Sequence, residues 1–116
     1  MASFSRAMVV CSNLERSRQF YRTILELPLR VDASPGWIEL DLGEGRALVL
    51  YATNDYLAVR PGSIQLGFTV ADVDAFINDA RVAGVRILQD VYAQPAGRVA
   101  TIADPDGYPI QVGTPA

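Results

Sequence analysis

The same order of elements is written twice in this chain, and that repetition limits the fold more than any single motif does. In the first half, Phe4-Ser5-Arg6-Ala7-Met8-Val9-Val10-Cys11 ends in a β-rich run and predicts a strand. Ser12 with Glu15 three places on is a capping-box pattern. It opens a helix carrying Leu14, Phe20, Tyr21, Ile24 and Leu25 at helical spacing, and Pro28 closes it. Three short strands are expected next, over residues 29–32, 37–42 and 46–52, parted by Pro35-Gly36 and Gly43-Glu44-Gly45. The second half repeats the pattern with a strand over 64–70 and a helix capped by Asp72, whose Val73, Phe76, Ile77 and Ala80 share one face. Gly84 supplies the left-handed turn after that helix, and strands over 85–89, 99–103 and 108–112 follow. The last two are joined by Asp104-Pro105-Asp106-Gly107, which reads as a turn and not as a site despite its two carboxylates. The expectation is an α+β fold in one domain spanning 1–116, with module 1 over 1–52, a link over 53–63 and module 2 over 64–116. Each module is βαβββ, giving two curved antiparallel or mixed sheets around a cleft with the helices on the convex side.

Composition removes several classes of chemistry. The 116 residues include no histidine, so a Ser-His-Asp or Cys-His pair is impossible and a metal site of the usual imidazole kind has no ligands. Ten basic residues, all arginine, stand against thirteen acidic ones for a net charge of −3, which leaves no electrostatic footprint for a nucleic-acid backbone. The lone Cys11 cannot form an intrachain disulfide and reads as an inert strand thiol. No apolar run approaches the roughly 18 residues of a membrane span. The apolar stretch near the start is too short for a leader, so a cytoplasmic location is expected.

Val10-Cys11-Ser12-Asn13-Leu14-Glu15-Arg16-Ser17 running into Phe20-Tyr21 resembles the first strand and helix of the vicinal oxygen chelate superfamily. That group includes glyoxalase I, bleomycin-resistance proteins and extradiol dioxygenases. Gly97-Arg98, Asp104-Pro105-Asp106-Gly107 and Ile110-Gln111-Val112 are similar to its closing hairpin, and the likeness covers almost the whole chain. Metal-binding members hold their ion with one side chain from the first and one from the last strand of each half. Alignment on Phe20-Tyr21 and on Val70 places those positions at Arg6, Leu50, Gln65 and Gln111. Arg6 and Gln65 are separated by the same interval as Asn13 and Asp72 at the helix starts, which supports the register. A guanidinium has no lone pair to donate, leucine has no donor, and two neutral amides are poor ligands for a divalent transition metal. The resemblance therefore implies a member without a metal ligand set and without any other cofactor.

Strand alternation then sketches the cleft lining. With Arg6, Leu50, Gln65 and Gln111 inward, so are Met8, Val10, Leu48, Gly67 and Thr69, while Val9, Cys11, Val49, Leu66, Phe68 and Ile110 face the helices. Trp37, Glu39 and Asp41 share one face of the third strand and add an indole and two carboxylates. The candidate ligand-binding residues are Arg6, Met8, Trp37, Glu39, Leu48, Leu50, Gln65 and Gln111. Arg6 has two readings, a pair with Glu39 or Asp41 inside the cleft or a grip on a ligand carboxylate or phosphate. Trp37 is either a stacking platform or ordinary packing. Tyr56 and Tyr92 lie in connecting segments near a pocket mouth. Arg98 matches an arginine common in the family's closing motif, although Ala96 stands where tryptophan usually precedes Gly97. Three functions compete. The first is a binding protein of the bleomycin-resistance type, sequestering a drug or metabolite, with aromatic compounds among the candidates, without catalysis. The second is a metal-dependent lyase or dioxygenase, and the third a metal-free enzyme using cleft carboxylates. The missing metal ligands favour the first. The resemblance also implies a homodimer, with neither nucleic acid nor membrane as partner.

Overall fold

The computed structural model describes residues 1–54, 58–62, 64–95 and 97–114. Tyr56 and Ala96 lie outside the described residues. The chain divides into two compact units, Met1–Arg60 and Pro61–Ala116.

The first unit runs β1 (Arg6–Cys11), α1 (Leu14–Thr23), β2 (Leu29–Ala33), β3 (Trp37–Gly43) and β4 (Arg46–Ala52). Its open sheet has the order β1-β4-β3-β2, with β1 parallel to β4 and the other pairs antiparallel. The β3–β4 hairpin forms because Gly43, Glu44 and Gly45 take positive φ, the conformation a tight turn between twisted strands needs. Helix α1 starts one residue later than the capping-box pattern suggests. Its N-cap is Asn13, whose side chain accepts from the Arg16 N–H at 3.1 Å, while Ser12 Oγ accepts from the Arg16 guanidinium. Such a cap stabilises a helix by about 1 kcal/mol. The helix also ends before Pro28: Glu26 turns at φ 55° and the Leu27 N–H reaches back to the Tyr21 carbonyl.

The second unit runs β5 (Leu66–Thr69), α2 (Val73–Val82), β6 (Ile87–Gln94), β7 (Gly97–Ala103) and β8 (Pro109–Gly113). Its sheet has the order β5-β8-β7-β6, with β5 parallel to β8. Asp72 caps α2 as expected, accepting from the Ala75 N–H. The helix closes in a Schellman motif: the Val85 N–H bonds the Ala80 carbonyl, the Gly84 N–H bonds the Arg81 carbonyl, and Gly84 sits at φ 82°. The two units thus share one βαβββ plan.

In each unit the helix covers one sheet face and makes the core there. Tyr21 and Ser17 of α1 are buried over Val9, Cys11, Ile38, Leu40, Leu48 and Leu50. Val73, Ile77 and Ala80 of α2 are buried over Ala100, Ile102, Ile110 and Val112. The turn at 104–107 is a structural device. The buried Asp104 carboxylate accepts from the N–H groups of Asp106 and Tyr108, both at 2.9 Å, which fixes the entry to β8.

Candidate functional site

The sheet face of the first unit opposite α1 gathers the chemistry. Register puts three rows of side chains on it: Arg6, Ala47 and Asp41; Met8, Val49, Glu39 and Val31; Val10, Tyr51, Trp37 and Ala33. Arg6 and Met8 therefore share a face with Trp37 and Glu39, as strand alternation requires. Leu48 and Leu50 do not. They pair with Leu40 and Ile38 on the other face, β1 sets Val9 beside Leu50, and both leucines are fully buried under α1. The expectation that placed them beside Arg6 is corrected by one residue of β4 register. The two units agree on this, since Met8 stands beside Val49 as Gly67 stands beside Gln111. Val49, not Leu50, is the counterpart of Gln111.

The face has a connected polar and aromatic centre. The indole N–H of Trp37 donates to Glu39 Oε2 at 2.8 Å. Tyr51 meets the Trp37 ring edge to face, with centroids 5.4 Å apart at 88°, and its hydroxyl accepts from Asn54 Nδ2. Arg30 approaches Glu39 Oε1 at 3.8 Å while donating to the Gly45 carbonyl. The Arg6 side chain reaches diagonally across the intervening row, bringing Cζ to 5.8 Å from the Trp37 ring centroid. That cation–π contact takes the place of the expected pair with Glu39 or Asp41; among the described residues Arg6 forms no ion pair. Asp41 is spent on the hairpin, where its carboxylate holds the Gly43 N–H at 2.7 Å. Met8 is 42% exposed and offers a soft apolar edge. Tyr51 and Arg30 are not among the residues expected from the sequence; the signal for Tyr51 is its position opposite Trp37 across the β3–β4 hairpin.

In the second unit Gln111 lies between Gly67 and Thr101 on the face away from α2, and space is open above Gly67. Gln65 precedes β5 and is exposed. Leu66 and Phe68 pair with Ile110 and Val112 on the helix side. Tyr92 is 41% exposed, its hydroxyl accepting from Gln94. Arg98 forks onto Asp74 of α2 through two hydrogen bonds of 2.9 and 3.0 Å, tying β7 to the helix. The bond from Arg98 holds the Asp74 carboxyl below its ordinary value, and the Asp74 carboxylate raises that of Arg98. Arg98 is thereby a clamp.

At the positions that the resemblance assigns to an ion, the side chains are poor donors for a divalent transition metal. The first unit offers Arg6 and Val49, the second Gln65 and Gln111, and none supplies a carboxylate, imidazole or thiolate. Among the described residues no group of three or more Asp, Glu, Cys or His side chains is placed to hold a metal ion. A depression of about 500 Å³ over α1, lined by Glu15, Arg18, Gln19, Arg22 and Thr23, is a solvated helix face, with Arg18 already paired to Glu15 and Asp32.

Residues 3–112 match the family described as the Glyoxalase/Bleomycin resistance protein/Dioxygenase superfamily. No curated protein matches the sequence. Among solved structures, the chain is similar to TnmS3, an antibiotic binding protein from Streptomyces sp. CB03234, with 28% identity and a TM-score of 0.81, covering 100% of this chain and 98% of that one. It is also similar to a glyoxalase-related enzyme from Fulvimarina pelagi, at 23% identity and a TM-score of 0.82, covering 98% and 88%. A lactoylglutathione lyase from Agrobacterium tumefaciens shares the fold at 16% identity and a TM-score of 0.77, covering 98% and 94%.

Proposed function

This chain belongs to the Glyoxalase/Bleomycin resistance protein/Dioxygenase superfamily, and we propose that within it the protein binds a small organic molecule without a metal and without catalysis. The observation that carries this reading is the Trp37 centre. An indole is fixed in place by Glu39 and Tyr51 and flanked by the guanidinium of Arg6, with the exposed Met8 on the same sheet face, one that no helix of its unit covers. A preorganised aromatic surface with a few convergent polar groups is what a small-molecule site needs. Arg6, Met8, Trp37 and Glu39 are the contact residues of the first unit. In the second, Gln65 and Gln111 present amides able both to donate and to accept. Leu48 and Leu50 are withdrawn from the set, because they lie in the core.

The 28% identical TnmS3 is an antibiotic binding protein, which supports sequestration. The likeness to a lyase and to a glyoxalase-related enzyme carries the fold alone. Metal-assisted chemistry would have to rely on the neutral amides of Gln65 and Gln111, poor ligands for a divalent transition metal. Acid–base chemistry by the two carboxylates of the first unit's open face is disfavoured too, since Glu39 is engaged by Trp37 and Arg30 and Asp41 by the Gly43 amide. Homodimer assembly and a cytoplasmic setting belong to the same proposal; among the described residues no helix is long and apolar enough to cross a membrane.

Trp37 is the sole tryptophan, so its emission reports on the site directly. A screen of aromatic and heteroaromatic compounds by tryptophan fluorescence and thermal shift is expected to yield saturable ligands. At a hundred times its dissociation constant, such a ligand stabilises the fold by about 2.7 kcal/mol. In Trp37→Ala the thermal shift should disappear. An unchanged shift in that variant would make the indole a bystander and overturn the reading.

A further inference from the structure

The charged groups on the open face of the first unit are not equally occupied. Glu39 accepts the indole N–H and is approached by Arg30, and Asp41 is held by a backbone amide. Arg6 differs. It is exposed, among the described residues it forms no ion pair, and its contact is with the π-system of Trp37. A cation–π attraction acts on the charge of the guanidinium and uses up none of its five N–H donors. Arg6 is thus anchored over the ring while its hydrogen-bonding fork remains available. That fork matches a planar carboxylate in a bidentate pair, better than it matches a neutral carbonyl or an amine. A ring joined to such a carboxylate falls beside Trp37 and Tyr51, where edge and face contacts are ready for it.

We infer that the ligand is an aromatic carboxylate, with its carboxylate forked onto Arg6 and its ring against the Trp37–Tyr51 pair. This rests on the small-molecule-binding reading above and adds the charge of the guest. An aromatic cation meets the positive charge of Arg6, and the one carboxylate near the indole is already balanced by Arg30. The preference for an anion is local and runs against the chain's net charge of −3.

Calorimetric titration with naphthoate, naphthamide and naphthylmethylammonium tests it, because the three share a ring and differ in charge. Naphthoate is expected to bind at least about tenfold more tightly than naphthamide, the size of one good charge-assisted contact, with the cation weakest. Arg6→Gln should bring naphthoate down to the naphthamide value while naphthamide itself is little changed. Arg6→Lys, which keeps the charge and loses the fork, should retain part of the preference. If naphthoate and naphthamide bind the wild-type protein equally, or if Arg6→Gln leaves the preference intact, this inference falls and the binding reading stands. If none of the three binds, the aromatic-binding reading itself falls.

Discussion

Leu50→Ala tests the β4 register directly. Leu50 is fully buried, with Ile38 beside it on β3 and Val9 beside it on β1, both less than a tenth exposed. Removing its isobutyl group loses the transfer free energy and leaves a cavity, together about 3 kcal/mol within the 2–5 typical of such changes. Against a total of roughly 5–15 kcal/mol for a domain, that is a large fraction. At about 4 °C per kcal/mol for a chain of this length, the melting midpoint should fall by about 12 °C. In urea the midpoint should drop by about 1.5 M with the slope unchanged, taking a slope near 2 kcal/mol/M. Met8→Ala is the comparison. Its side chain is 42% exposed on the opposite face, so it should cost about 1 kcal/mol or less while weakening ligand binding. Measured by circular dichroism on both variants, a Leu50→Ala midpoint within about 2 °C of wild type would refute the assignment of Leu50 to the core, and a larger loss in Met8→Ala would reverse the two faces.

Calorimetric titration of the apoprotein with Zn²⁺, Ni²⁺ and Mn²⁺ should show no stoichiometric tight binding; saturable uptake of one ion per chain would overturn the metal-independent reading. The Asp74–Arg98 clamp should make stability sensitive to acid. Asp74 is depressed in the folded state, chiefly by the hydrogen bond from Arg98, so its contribution is present above the unfolded carboxyl value and is lost as pH falls through the lower folded value. Wild type should therefore melt above Asp74→Asn at neutral pH, and the gap should close as pH falls below the ordinary carboxyl range. A gap independent of pH would show that the carboxylate's charge does not matter there.

Much of the fold is legible in the residues because its signals are local. Asp72, Gly84 and the run from Asp104 to Gly107 each satisfy or redirect nearby backbone groups, and each does so where the pattern places it. The cap of α1 is ambiguous for the same local reason: Ser12 and Asn13 are adjacent capping residues, and only the backbone path selects Asn13. On β3 the alternation Trp37-Ile38-Glu39-Leu40-Asp41 separates the faces unaided, which is why the sequence alone puts Trp37 and Glu39 on one face.

On β4 the run Ala47-Leu48-Val49-Leu50 is apolar at every position and buried on both faces. No two-residue period exists there to read. Its partner β1 is parallel to it and separated in sequence by α1, β2 and β3, so no turn fixes that pairing, and the one local constraint, the β3–β4 turn, carries an irregularity between Asp41 and Gly43 that shifts the register. The doubled βαβββ plan and the absence of histidine are legible directly, since both follow from residue identity and local order. The assembled sheet was needed to set Leu50 under α1 and to rest Arg6 on the indole rather than on Glu39. Those outcomes depend on how distant strands align and how far a long side chain reaches across them, quantities that no stretch of neighbouring residues encodes.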